Sequence, residues 1–257
     1  MSFPSLTKTI LFLGATGGCG LSVLRRSLAA GHTCIALVRN PAKLTNLLPA
    51  DLRSLPTLRL LKGSATDVPA IAGGLVHTPP GAPPALVDTI IFAVGGAFDW
   101  TKFANDQPTI CGDAMTALLS ALACVRAESP SLAAAVPRIA AVSTTGIPAS
   151  GVRDVPLLFL PMYQYMLKQP HEDKKVLEKA LIESEGTRWT LVRPSFLTDG
   201  KEKGELKVGI EDPKTGRLEK SAVGYTISRE DVGKWIFEEI IEKDGREFAG
   251  KAVTITH

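Results

Sequence analysis

The sequence predicts an α/β fold in which a doubly wound parallel sheet is covered by helices on both faces. Short apolar segments alternate with segments of helical periodicity along most of the 257 residues, which is the pattern of repeated βαβ units. Several of the short segments are apolar at consecutive positions, as expected of strands that are buried on both faces. We predict strands at residues 9–13, 33–38, 58–62, 88–94, 138–143, 189–193 and 251–256.

Four further segments have the periodicity of helices, at residues 18–30, 109–127, 171–184 and 229–241. The proline-rich residues 77–84 read as a surface loop. No internal repeat or linker divides the chain, so we predict a single domain, residues 1–257. Within it, residues 194–228 add a small C-terminal lobe on the substrate side, with a hairpin turn at residues 212–217.

Composition argues against several classes of protein. The 29 basic and 26 acidic residues leave a net charge of only +3, without a basic block, so a nucleic-acid partner is not expected. The four cysteines and four histidines lack metal-ligand spacing, so we expect no metal. No stretch is apolar over the ~18 residues that a transmembrane helix needs, so we expect no membrane partner. Lys8 precedes an apolar run that enters a glycine cluster instead of a cleavage site, and we expect a cytoplasmic protein.

A glycine-rich segment directly after the first predicted strand carries the strongest local signal. Gly14, Gly17 and Gly20 follow one another at intervals of three where a strand passes into a helix. Glycines at such a turn let the backbone approach a pyrophosphate, which the helix N-terminus attracts. The alternative is a simple glycine-rich turn. The strand–turn–helix context favours a Rossmann-like dinucleotide site, with Thr16, Gly18 and Cys19 as further cofactor contacts.

The end of the second predicted strand indicates which dinucleotide binds. An Asp or Glu at this point accepts the ribose hydroxyls of NAD, but the chain has Arg39 there. An arginine can form a bidentate pair with the 2′-phosphate of NADP. We therefore predict NADP as the cofactor, although a solvated surface arginine would have the same sequence.

Four segments together resemble a known family: the glycine loop, Val38-Arg39-Asn40-Pro41, residues 63–67 and residues 189–194. The chain resembles the atypical short-chain dehydrogenases of the NmrA-like and flavin-reductase-like group. Residues 143–147 and 161–175 are similar to fungal oxidoreductases of aromatic polyketide pathways, which implies a role in secondary metabolism. The resemblance implies cofactor contacts at Asp67, Val68, Ala93, Val94, Gly95, Pro194 and Phe196.

Two of these positions have a plainer interpretation. Asp67 could cap the helix that follows it. Pro194 could simply end a strand.

Related enzymes place a Tyr-x-x-x-Lys pair on one helix beside a strand-terminal serine. Ser143 stands at the serine position, and Lys174 shares a helical face with Leu177 and Leu181. Pro170 stands where the tyrosine would be, so the standard triad is absent as a motif. His171, four residues before Lys175, could supply the acid, but a histidine at a helix N-terminus is more often a surface residue. We take Ser143, Lys174 and Tyr165 as candidate catalytic residues, and Lys174 also as a cofactor contact at the nicotinamide ribose, unless it is a solvated helix lysine.

Apolar residues follow several predicted strands at the carboxyl edge of the sheet, where ligands bind in such folds. Phe98, Trp100 and Tyr163 are therefore candidate substrate contacts, and the apolar residues 155–160 form either a pocket wall, core or a contact with a partner subunit. We predict an NADPH-dependent oxidoreductase that transfers hydride to a small aromatic or quinone-like substrate, as a monomer or homodimer. The alternatives are a redox sensor that binds NADP without turnover, or an isomerase or dehydratase on the same fold.

Overall fold

The apolar segments form a nine-stranded sheet in the computed structural model, which describes residues 7–79, 81–99, 101 and 104–257. Three further pairs of short strands lie outside this sheet. In chain order the strands of the described residues are β1 Thr9–Leu13, β2 Thr33–Val38, β3 Leu58–Lys62, β4 Val76–His77, β5 Ala85–Leu86, β6 Thr89–Phe92, β7 Phe98–Asp99, β8 Ala104–Asn105, β9 Arg138–Val142, β10 Arg188–Pro194, β11 Phe196–Thr198, β12 Lys207–Asp212, β13 Arg217–Lys220, β14 Thr226–Ser228 and β15 Lys251–Thr256.

The strand order of the main sheet is β13-β12-β15-β10-β9-β6-β1-β2-β3. The strands from β3 to β15 in this order are all parallel, and β12 and β13 add an antiparallel edge. The chain builds β1, β2 and β3 outward and then returns to place β6 on the other side of β1. This reversal of strand order opens a crevice between the loops after β1 and β6, which is where ligands bind in open α/β sheets.

Helices cover both faces of the sheet, as the apolar strands require. They are α1 Gly18–Ala29, α2 Pro41–Leu47, α3 Ala50–Arg53, α4 Val68–Leu75, α5 Ile110–Glu128, α6 Lys168–Ile182 and α7 Arg229–Trp235, and α7 continues as a π-helical segment, Ile236–Glu242. One hydrophobic core lies under α1 and α7, and a second lies under α4, α5 and α6. The fold is thus the predicted doubly wound, Rossmann-like α/β fold.

Helix α5 is long and apolar enough to cross a membrane by length and composition alone. Half of this apolar stretch is buried inside the fold, where α5 packs between α4 and α6. A core helix of a globular domain has the same composition, so this helix is weak evidence for a membrane.

Several predicted boundaries differ from the structure by a few residues. The predicted strand 88–94 is shorter because the chain leaves the sheet after Phe92 to form the crevice. The short helices α2 and α4 begin at side-chain caps, Asn40 and Asp67, with a proline in the first turn, a local signal that the apolar periodicity does not contain. The hairpin predicted at residues 212–217 is confirmed, and it joins β12 to β13 at the edge of the main sheet.

Candidate active site

The loops after β1 and β6 touch at the crevice, and only glycine fits there. Gly14 has φ +92°, and a Cβ on it would lie 2.4 Å from the carbonyl oxygen of Ala93. Gly20 faces back onto this turn, because a Cβ on it would lie 2.4 Å from the Gly14 carbonyl oxygen. The turn is closed by a hydrogen bond from the Gly17 N–H to the Gly14 carbonyl, 3.2 Å long. The glycines therefore let the strand turn sharply and bring α1 close against the sheet.

A groove of about 320 Å³ runs from this turn along the ends of β1, β2, β3 and β6. Gly17, which has no capping side chain, precedes α1, so the first-turn N–H groups of that helix point toward an anion site. The donor set and the narrow glycine turn fit the diphosphate of a dinucleotide. Among the predicted cofactor residues, the groove is lined by Gly14, Thr16, Gly17, Arg39, Ala93, Val94 and Gly95.

The structure places Cys19 and Gly20 in the packing of α1 and not on the groove. Burial raises the pKa of the Cys19 thiol to about 12, so the thiol stays neutral. Gly18 is covered by the side chain of Arg229. These three residues therefore shape the start of the helix.

Two cations line the groove beyond the end of β2. Arg39 is exposed there, and Lys43 lies in the first turn of α2, whose N-cap Asn40 accepts a hydrogen bond from the Lys43 N–H. Sequence reasoning missed Lys43, although it follows Arg39 by one helical turn. Other groove residues that it missed are Ser64, Gly96, Asp106, Gln107 and Ile110.

Asp67 caps α4, as its plainer interpretation predicts. Its carboxylate accepts a hydrogen bond from the Ala70 N–H at 3.1 Å. Asp67 is exposed and the adjacent Val68 opens the helix; neither lines the groove. The structure therefore does not bring these two residues to the cofactor groove.

A second cavity, of about 660 Å³, opens at the carboxyl ends of β9 and β10. Most of the exposed area of its wall is apolar, although polar residues outnumber apolar ones, and Pro194, the last residue of β10, belongs to it. A cleft of about 700 Å³ also lies on the outer side of α1, but its charged side chains pair with one another. The apolar part of the cavity wall consists of Phe98, Leu167, Pro170, Pro194, Phe196 and Leu197, and the polar part of Asn105, Ser143, Thr144, His171, Lys174, Ser195, Thr198, Asp199 and Arg229.

Lys174 stands between the cavity and the groove. Its Nζ donates to the Val142 carbonyl at 2.8 Å and to the Val94 carbonyl at 3.1 Å. The adjacent Asp173 is buried and accepts from the Cys111 and Gly112 N–H groups at the start of α5. The cap on α5 thus sets the rotation of α6, so that Lys174 faces the sheet whereas Lys175 faces solvent.

Ser143 follows β9 directly and belongs to a buried charged network. Its hydroxyl donates to the Glu178 carboxylate at 2.5 Å. Arg193 grips the same carboxylate through Nε at 2.9 Å and Nη2 at 2.6 Å, and it also pairs with Glu211. Burial alone would lower the pKa of Arg193, but the two carboxylates raise it above its usual value. The hydroxyl proton of Ser143 is therefore used in a hydrogen bond to Glu178.

His171 is buried and lines the cavity, one helical turn before Lys174. The expectation of a surface histidine was wrong, because α6 begins at Lys168 and its first turn lies against the cavity. Burial lowers the pKa of His171 to about 4, so the imidazole is neutral at physiological pH.

Of the tyrosine candidates, Tyr165 does not complete the site. The side chain of Tyr165 is 80% exposed and does not line the cavity. Trp100 and the side chain of Tyr163 lie outside the described residues. Phe98 and Phe196 do line the cavity, and Phe159 packs edge-on against Phe196 from behind.

A doubly wound sheet with a glycine turn, an open helix N-terminus and a groove at the reversal of strand order defines a dinucleotide-binding α/β protein. The sequence matches the NAD(P)H-binding family over residues 14–243. The chain belongs to this family.

Two fungal relatives are similar over almost their whole length. The chain is 39% identical to "Reductase pytE" of Aspergillus terreus, covering 98% of this chain and 99% of the relative. It is 37% identical to "Oxidase pynE" of Aspergillus niger, covering 96% and 98%. The protein is therefore an NAD(P)-binding oxidoreductase.

Solved structures share the fold at low sequence identity. A short-chain dehydrogenase/reductase of Veillonella parvula, solved in complex with NADP, is 17% identical with a TM-score of 0.69, covering 98% of this chain and 95% of that one. The reductase ChuY of Escherichia coli O157:H7 is 20% identical with a TM-score of 0.65, covering 96% of each chain. The protein thus shares its fold with both of these solved structures.

Proposed function

We propose that this oxidoreductase uses NADPH to reduce a small aromatic or quinone-like substrate. The observation that carries the proposal is the position of Lys174. Its ammonium group donates a hydrogen bond to the carbonyl of Val94, a residue that lines the groove. Lys174 itself lines the cavity, together with Phe98 and Phe196. A flat apolar ligand in that cavity lies next to the end of the groove that carries the reactive ring of a dinucleotide.

The choice of NADPH rests on charge at the other end of the groove. Arg39 and Lys43 both line the groove beyond β2, where NAD-binding proteins carry an acidic residue. Two cations favour a ligand with an additional phosphate, because each adds a charge-assisted hydrogen bond. A structural neighbour solved with NADP supports the same assignment, because it shows that this fold accepts that cofactor.

NADPH, when bound, supplies the hydride. The task of Lys174 is positioning: an ammonium group has three N–H donors, and two of them hold the Val94 and Val142 carbonyls. The third would be available to a ribose hydroxyl of the cofactor and would help to orient its nicotinamide toward the cavity. The neutral His171 offers a ring N–H to the substrate oxygen from the same helix face.

The missing tyrosine favours a quinone-like acceptor. Hydride addition to a ketone leaves an alkoxide, a strong base that needs a proton from a well-placed acid. Hydride addition to a quinone leaves a phenolate, whose conjugate acid has a pKa of about 10, as in tyrosine. Such a product can leave the site without first receiving a proton from a strong acid of the protein. This agrees with the presence of Pro170, which has no acidic group, at the tyrosine position.

The test is NADPH oxidation by the purified protein with quinones, aromatic ketones and matched aliphatic ketones. We expect turnover with quinones, less with aromatic ketones and none with aliphatic ketones. Tight NADPH binding without oxidation by any acceptor would overturn the proposal in favour of a sensor. Conversion of a substrate with no net change in cofactor would favour an isomerase or dehydratase.

The NADPH preference has its own test. Arg39→Glu is expected to weaken NADPH binding about 10- to 100-fold, the effect of losing a charged hydrogen bond, and to leave NADH binding nearly unchanged. Arg53→Glu makes the same charge change at an exposed position outside the groove and serves as the control. Equal losses for both cofactors in Arg39→Glu would contradict the assignment.

A further inference from the structure

The start of α7 is firmly attached to the first half of α1. The Glu230 carboxylate accepts a hydrogen bond from the Ser22 hydroxyl at 2.7 Å and pairs with Arg25. One turn later, a Cβ on Gly233 would lie 2.3 Å from the Cβ of Ser22, so the two helices are in direct contact. The backbone of Arg229, the first residue of α7, therefore has a set position relative to the glycine turn.

Arg229 lies over the first residue of α1. A Cβ on Gly18 would lie 2.2 Å from Cδ of Arg229 and 3.1 Å from its Cβ. The aliphatic part of Arg229 thus occupies the space of a side chain at Gly18, which explains why a glycine is needed there. The aliphatic chain that carries this positive charge is packed on the helix turn whose N–H groups face the anion site.

The guanidinium of Arg229 has only a weak partner. It donates to the Asp199 carboxylate at 2.8 Å, but the Asp199 side chain is 93% exposed. Exposed pairs of this kind contribute at most about 1 kcal/mol. The pair is therefore easily exchanged for a better anion.

The charges on the cavity wall favour an anion in this place. Lys174 and Arg229 line the cavity, and Asp199 is the one carboxylate on the described part of its wall. Both cations also act on the first turn of α1, since they oppose the rise in the pKa of the Cys19 thiol that burial causes. The helix terminus and the two cations thus converge on one region.

We propose that Arg229 binds the diphosphate of the dinucleotide beside the N-terminus of α1, and that Asp199 holds the guanidinium when no dinucleotide is bound. The inference rests on dinucleotide binding, not on the choice between NADPH and NADH. It gives the C-terminal segment a direct part in cofactor binding, because Asp199 and Arg229 flank residues 200–228.

The test is calorimetric titration of the full chain with ADP-ribose, which carries the diphosphate but lacks both the nicotinamide and the 2′-phosphate. Arg229→Met keeps most of the aliphatic part over Gly18 and removes the charge; we expect binding to weaken about 10- to 100-fold. Arg229→Lys keeps a cation and is expected to restore part of this affinity. Asp199→Asn removes the competing carboxylate and is expected to tighten binding by up to about 5-fold.

Lys201→Gln removes an exposed cation close to Asp199 that does not line the cavity, and it should leave the affinity unchanged. Thermal melts of each variant show that it is folded. The ratio of NADPH to NADH affinity should be the same in Arg229→Met as in the wild type, in contrast to Arg39→Glu.

If Arg229→Met bound ADP-ribose with wild-type affinity, the inference would be overturned. If that variant also had a raised KM for acidic substrates, Arg229 would be assigned to substrate binding instead. Unchanged affinity in Asp199→Asn would overturn the exchange with Asp199. Failure of the wild type to reduce quinones leaves these titrations intact, so the inference and the proposed function fail separately.

Discussion

The hydroxyl of Ser143 donates its proton to the carboxylate of Glu178 at 2.5 Å, across 35 residues of sequence. A serine at this place in related enzymes is expected to donate to the substrate oxygen. Here its donor is already used, because Arg193 holds Glu178 as the acceptor. Ser143 therefore presents its oxygen to the cavity as an acceptor of hydrogen bonds.

Glu178→Gln should lower the free energy of unfolding by about 3 kcal/mol, the lower end of the usual cost of removing one charge of a buried ion pair, because Arg193 keeps Glu211 as its second carboxylate. Arg193, only 2% exposed, would lose its bidentate carboxylate. Denaturant unfolding measures the change. Glu183→Gln, at an exposed position after the same helix, should change it by less than about 0.5 kcal/mol. Equal effects of the two variants would show that the network does not stabilise the fold.

Lys174→Met should reduce kcat/KM about 10- to 100-fold, because a charged hydrogen bond to the cofactor is lost. Lys175→Met is the matched control: Lys175 is the next residue, is exposed and pairs only with Glu172 among the described residues. Steady-state kinetics should therefore separate the two variants. If both had wild-type kinetics, Lys174 would have only a structural role.

Gly14→Ala should both destabilise the fold and abolish dinucleotide binding. The new methyl group would lie 2.4 Å from the Ala93 carbonyl oxygen, at φ +92°, and the backbone conformation alone costs about 1–2 kcal/mol. In contrast, Gly73→Ala places a methyl in open space within α4 and should stabilise by about 0.5–1 kcal/mol. Thermal melts and cofactor titrations measure both effects. Normal binding in Gly14→Ala would contradict the close approach of the two loops.

His171 should make stability depend on pH between about 4 and 6.5. Its pKa is lowered from 6.5 to about 4 in the folded protein by burial, with a smaller contribution from Lys175. As the pH falls through this window the unfolded chain takes up a proton that the folded chain does not, so stability falls.

The loss is on the order of 3 kcal/mol at most. His171→Asn should flatten this part of the stability curve, measured by urea unfolding across the pH range. At pH 8, where both states of the wild type carry neutral imidazole, any difference between the two proteins reports packing alone. An unchanged slope in the variant would show that His171 titrates alike in both states.

Local patterns were enough to predict the fold. The strands β1, β2, β3 and β15 were predicted residue for residue. For β1 and β2 the reason is that a strand covered on both faces is apolar along its length. The glycine spacing after β1 likewise predicted the turn, since the requirement for positive φ at Gly14 is local. The position of Arg39 directly after β2 was enough to predict that this residue lies at the groove.

The rest of the site could not be predicted because it depends on contacts between distant segments. The inward position of His171 follows from the packing of α6, and the proton of Ser143 is held by Glu178 and Arg193 from other elements. Lys43 was accessible in principle, through the cap at Asn40 and one helical turn.

The sequence by itself determined the sheet, the glycine turn and the class of cofactor, because periodicity and backbone freedom are properties of neighbouring residues. Only the tertiary structure decided which polar groups face the cavity and which are already hydrogen-bonded within the protein. The sequence does not show which residue will be the partner of a given serine or arginine. Partners such as Glu178 for Ser143 and Gly18 for Arg229 arise only when the helices pack on the sheet.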